Sequence, residues 1–85
     1  MKPFEIRFTK EAKKDIAKLP PKLRAKLLEI LQNSISVDPG SGKKLVGDLE
    51  GYYSVRLTFQ DRIVYSINAE KQSVTIHRAR THYGD

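Results

Sequence analysis

Phe4, Ile6 and Phe8 alternate with Glu5 and Arg7, the period of a half-buried strand, so the pattern predicts a first strand over about residues 3 to 9. The period then changes. Thr9 is a good N-cap with Glu11 in the first turn, and Ala12, Ile16 and Leu19 recur at helical spacing until Pro20-Pro21 ends the run. Pro21 opens a second, longer helix in which Leu23, Leu27, Ile30 and Leu31 form one stripe against Lys22, Lys26, Glu29 and Asn33. Asp38-Pro39-Gly40-Ser41-Gly42 is the clearest break and reads as a loop. Beyond it, three runs of period two follow: Tyr53, Val55 and Leu57; Ile63, Tyr65 and Ile67; Val74 and Ile76. The breaks at Gln60-Asp61 and at 68–72 are short enough for hairpins, which makes an antiparallel meander.

The predicted order is β-α-α-β-β-β. It describes an α+β domain of two layers, with the N-terminal strand and two helices packed on an antiparallel sheet of about four strands, the other face of the sheet open. On that open face the alternation leaves Ser54, Arg56 and Thr58 from one strand and Arg62, Val64 and Ser66 from the next. Val74 and Ile76 turned inward put Arg78 nominally with the core, at a strand end where alternation can lapse. Residues 77–83 hold both histidines, two arginines and a tyrosine. If the last strand lies beside the one bearing Arg62, then Arg56, Arg62, Arg80, His82 and Tyr83 converge on one basic surface.

The chain of 85 residues is read as a single domain, 1–85, with 39% apolar and 31% charged residues. Its apolar runs are far shorter than a membrane span, and it shows no secretory signal. Zero cysteines exclude disulfides, thiol nucleophiles and thiolate metal sites and fit a reducing cytoplasm. Sixteen Lys and Arg against ten Asp and Glu leave a charge of +6, spread over both halves of the chain, so the charge belongs to the folded domain and favours polyanionic partners. Two histidines without an acidic cluster make no metal site, and no glycine-rich phosphate loop precedes a helix; no cofactor is implied. By periodicity alone Arg56 and Arg62 are solvated surface charges, His77 is an ordinary surface histidine, and Lys13, Lys14, Lys18, Lys22 and Lys26 are the wet faces of two helices.

Four segments, in order and spacing, change that picture: the opening FEIRFTKEAKKDIAKLP, the loop KKLVGDLEGYYSVRL, the strand DRIVYSI and the ending RARTHY. Together they resemble the RelE/ParE superfamily of toxins from bacterial type II toxin–antitoxin pairs over essentially the whole chain, and hence the RelE-like microbial RNase fold. The specific pieces are Leu49-Glu50-Gly51-Tyr52 leading to Arg56, and Arg62-Ile63-Val64-Tyr65. The ending Arg80-Thr81-His82-Tyr83 resembles the Arg-aromatic-His-Tyr close of the YoeB subgroup, Thr81 being the departure. Many relatives run on into a Val-Tyr ending where this sequence stops at Asp85.

The resemblance implies a ribosome-dependent endoribonuclease, an mRNA interferase that cuts mRNA in the ribosomal A site by attack of a ribose 2′-OH on the adjacent phosphate. It implies Arg62, His82, Arg80 and Tyr83 as the catalytic set, with Arg62 stabilising the transition state, His82 as general acid, Arg80 assisting and Tyr83 stacking on or orienting a nucleotide. Arg56, Lys43, Lys44 and Arg78 are expected to bind RNA. The carboxylate that YoeB-like members carry just before the loop leucine is replaced here by Lys43-Lys44, which leaves as general base either Glu50 or, preferred, a network of basic residues as in the RelE branch. Implied partners are a cognate antitoxin, the ribosome and mRNA, with a monomer when free and a hetero-oligomer with antitoxin in the cell. The same fold also serves ParE-like gyrase poisons that cut no nucleic acid and inactive relatives that only bind antitoxin.

Overall fold

In the computed structural model, residues 3–80 are described, the side chain of Arg80 excepted. The elements are β1 (Glu5–Phe8), α1 (Lys10–Lys18), α2 (Pro21–Ile30), β2 (Lys43–Lys44), β3 (Tyr52–Arg56), β4 (Arg62–Asn68) and β5 (Ser73–Arg80). The sheet has five strands in the order β1-β5-β4-β3-β2. The α+β class and the β3-β4-β5 meander are as predicted, with two differences. The sheet gains a fifth strand, the two-residue β2 paired antiparallel to β3, and β1 pairs in parallel with β5. The two helices carry the chain from β1 to β2 at the opposite edge of the sheet, and three antiparallel steps then bring β5 back beside β1 in the same direction.

The caps act where the residue types predict. Thr9 accepts the Ala12 N–H at 3.1 Å, and its hydroxyl donates toward the carbonyls of Ile76 and His77, so one residue starts α1 and ties it to β5. Pro21 sits in the first turn of α2, and Leu31–Ile35 extends that helix by a π-helical turn, closed by the Ser36 hydroxyl on the Gln32 carbonyl at 2.8 Å. Both helices cover one face of the sheet. Ala12, Leu19, Leu27, Leu31 and Ile35 form a single buried cluster with Leu57, Ile63, Tyr65, Val74, Ile76 and Ala79, and Tyr53, Val55 and Ile67 pack on its margin. Among the described residues no helix is long and apolar enough to cross a membrane.

Candidate functional site

Cross-strand neighbours share a face, so register decides which cations meet. Arg56 stands opposite Arg62, Ser54 opposite Val64, and Lys43 opposite Ser54. On the face away from the helices these residues shape a hollow of about 210 Å³ lined by Lys43, Ser54, Arg56 and Arg62. Ser54 is buried, as is Val64 opposite it, while Arg56 is exposed and Arg62 half-buried. Two arginines directly opposed across a ladder repel each other, a local cost in stability of the kind that functional sites carry. Among the described residues the lining is three cations and one hydroxyl with no carboxylate, a receptor for a group with several anionic oxygens, and the guanidinium fork suits two of them at once.

Lys43 reaches the hollow because of a tether from the core. The Tyr65 hydroxyl, fully buried, donates to the Pro39 carbonyl at 2.5 Å and accepts from the Gly42 N–H. Burial pushes its phenol above the usual tyrosine range, so it stays a neutral donor. A Cβ at Gly42 would run into the Tyr65 hydroxyl and lie 3.1 Å from the Ser54 carbonyl, so only glycine lets the loop come this close before β2 begins. Lys44, the other residue of β2, pairs with Tyr53 and takes the opposite, helix-side face.

The last strand departs from alternation. Val64 pairs with Arg78 but Tyr65 pairs with Ile76, so His77 is the extra residue of a β-bulge. Ala79 thereby returns to the core, and Arg78 reaches Asp15 of α1 with Nε–Oδ2 at 2.9 Å and Nη2–Oδ1 at 3.4 Å. The Ala79 N–H donates to the same Oδ2 at 3.2 Å. Arg78, expected on RNA, is thus engaged with a buried carboxylate. Asp15 escaped notice in the sequence although a signal was there: it falls on the buried stripe of α1 with Ala12, Ile16 and Leu19. His77 is half-buried rather than an ordinary surface histidine; it stacks on Tyr52 with ring centroids 4.9 Å apart, and its Nε2 lies 2.8 Å from the Ser66 hydroxyl. Burial lowers its pKa, which keeps the ring neutral near pH 7.

Of the residues expected at the site, the fold therefore brings Lys43, Arg56 and Arg62 into one hollow. The condition for convergence of the tail also holds, since β5 lies beside β4 and Arg80 pairs with Arg62. The Arg80 side chain, Thr81, His82 and Tyr83 lie outside what is described. Glu50 is exposed and precedes β3, at the far end of that strand from Arg56.

A family model described as the YoeB-like toxin of bacterial type II toxin–antitoxin systems matches residues 8–83. The chain belongs to this family. Toxin RelG of Mycobacterium tuberculosis is 36% identical over 77 residues, 89% of this chain and 87% of its relative. Among solved structures, the toxin–antitoxin complex RelBE2 of the same organism contains a chain 35% identical to this YoeB-like toxin, with a TM-score of 0.86 and coverage of 96% and 94% of the two chains. The YoeB-YefM complex of Staphylococcus aureus contains one at 28% identity, with a TM-score of 0.78 and coverage of 94% and 98%.

Proposed function

We infer that this YoeB-like toxin is a ribosome-dependent endoribonuclease that cuts mRNA in the A site and so stops translation. The observation that carries the reading is the hollow of Lys43, Ser54, Arg56 and Arg62, a concavity of cations wide enough to admit a phosphate on the one sheet face that the helices leave open. In the reaction the 2′-oxygen bonds to phosphorus as its proton leaves, and the bond to the 5′-oxygen breaks as that oxygen takes a proton, giving a cyclic phosphate and a 5′-hydroxyl. Arg62 meets the charge that builds on the phosphoryl oxygens, and Arg56 and Lys43 hold the phosphate beside it. His82 serves as general acid, since imidazole is the side chain that exchanges a proton most readily near neutral pH. Arg80, in register with Arg62, assists, and Tyr83 holds a base. No described residue lining the hollow is a carboxylate, which supports proton removal by the basic network rather than by Glu50.

The partners are the ribosome with its mRNA and, as for the relatives whose complexes are solved, a cognate antitoxin; the site of action is the cytoplasm. Mapping mRNA ends by primer extension in a reconstituted translation system tests the reading. Wild-type protein should cut within A-site codons, and Arg62→Ala and His82→Ala should each lower the rate by about 10²-fold or more. Arg62→Ala should keep its stability within about 0.5 kcal/mol, because the side chain fills no core position. Intact mRNA with arrested growth would move the case to gyrase poisoning, and intact mRNA with normal growth would leave an inactive relative.

A further inference from the structure

Phe59, in the turn between β3 and β4, is 90% exposed, more than any other large apolar side chain among the described residues. The turn that carries it is firmly built. The Leu57 and Thr58 N–H groups both donate to the Asp61 carbonyl, at 2.8 and 3.2 Å. Within that loop the Thr58 hydroxyl donates to Asp61 Oδ2 at 2.8 Å and accepts the N–H groups of Asp61 and Gln60 at 2.9 and 3.2 Å. Leu57 and Asp61 on either side are buried, so both feet of the turn are anchored and the ring is held out in solvent by the fold itself.

The strand ends that this turn joins are Arg56 and Arg62, two of the four described residues that line the cationic hollow. Phe59 is three residues from each, so its Cα lies within about 11 Å of both arginine Cα atoms. A firmly held aromatic ring on the turn that joins two cations of the hollow is the combination by which single-stranded nucleic acid is held: cations track the backbone and the ring stacks on a base. Stacking needs only one face of the base, so it works on a strand already unpaired.

We propose that Phe59 is a base-stacking residue that positions the nucleotide next to the one whose phosphate enters the Lys43-Arg56-Arg62 hollow. This rests on the ribonuclease reading above and names a contact beyond it. The ring touches no reacting atom, so its effect falls on substrate binding rather than on the chemical step.

The test compares wild type with Phe59→Ala, Phe59→Leu and Phe59→Trp on mRNA-programmed ribosomes, a substitution series at an exposed site that leaves folding intact. Phe59→Ala should raise KM by about 5- to 100-fold with kcat changed much less, Phe59→Trp should restore it, and Phe59→Leu should not. On mRNA made abasic at the nucleotide 5′ or 3′ of the cut, the Phe59→Ala effect should vanish at one of the two positions, which identifies the stacked base. Wild-type kinetics in Phe59→Ala would overturn the proposal. So would full rescue by Phe59→Leu, or a loss of antitoxin affinity with cleavage untouched, either of which would assign the ring to a protein contact. If wild type cuts no mRNA, the nuclease reading falls, and titration of the same four proteins with a single-stranded oligoribonucleotide decides: weaker binding by Phe59→Ala and Phe59→Leu alone keeps the stacking role, and equal binding by all four removes it.

Discussion

The two faces of the sheet are made by the same strands yet share almost no chemistry. On the helix side, Ile63, Tyr65, Val74, Ile76 and Ala79 meet Ala12, Leu19, Leu27, Leu31 and Ile35, all buried. On the other, one residue away along the same backbone, Lys43, Ser54, Arg56 and Arg62 surround a hollow with Val64 buried opposite Ser54. Stability and candidate chemistry are therefore interleaved in sequence but separate in space. A substitution on one face should leave the other face's property almost untouched, even between neighbours such as Arg62 and Ile63.

The largest test of that separation lies in the core. Leu27 is fully buried at the centre of α2, so Leu27→Ala loses its transfer free energy and leaves a cavity, at about 2–5 kcal/mol. In a domain of this size that is a large part of the total. Urea unfolding should show the loss, while the folded fraction retains the wild-type rate in the cleavage assay. A fall in rate per folded molecule would show that the two faces communicate.

Asp15 is the next largest, and it sits where the division is least clean. Its carboxylate joins α1 to the end of β5, accepting from Arg78 and from the buried Ala79 N–H. Because Arg78 is partly exposed, water screens the ion pair and the backbone bond is the weightier contact. Asp15→Ala strands that N–H and should cost about 1–3 kcal/mol by denaturant titration. Asp15→Asn, which keeps an acceptor oxygen, should recover most of the loss; if Asn proves as destabilising as Ala, charge rather than the hydrogen bond holds the strand end.

These residues also mark how far the sequence could be read. Period-two alternation located β3, β4 and β5 and put Arg56 and Arg62 outside, because a strand with one buried face must alternate. Lys43-Lys44 is too short to show any period, so β2 was invisible, and with it the reason Lys43 and Lys44 part company. The β1–β5 pairing joins opposite ends of the chain and leaves no local trace. The bulge at His77 is an extra residue in a run whose pattern gives no sign of it, which is why His77 read as a surface residue and Arg78 as nominally inward. The roles proposed for His82 and Tyr83 rest on resemblance, and both residues lie beyond the described part of the chain.

The smallest effect concerns His77, where the open face departs from its own character. Here a titratable ring is half-buried, stacked on Tyr52 and bonded to Ser66, instead of being offered to solvent. Burial lowers its pKa below the ordinary 6.5, so the unfolded chain takes up the proton at higher pH than the folded one. Its stabilising contribution is therefore fully present above about pH 6.5 and declines as the pH falls through that value toward the lower folded pKa. Urea midpoints measured from pH 7.5 down to 5.5 should fall more steeply for wild type than for His77→Gln, the difference cancelling whatever other groups contribute to both proteins. Parallel slopes would mean that His77 is as free to charge in the folded protein as in the unfolded chain, and the contrast between its burial and the exposed Arg56 on the same face would lose its energetic meaning.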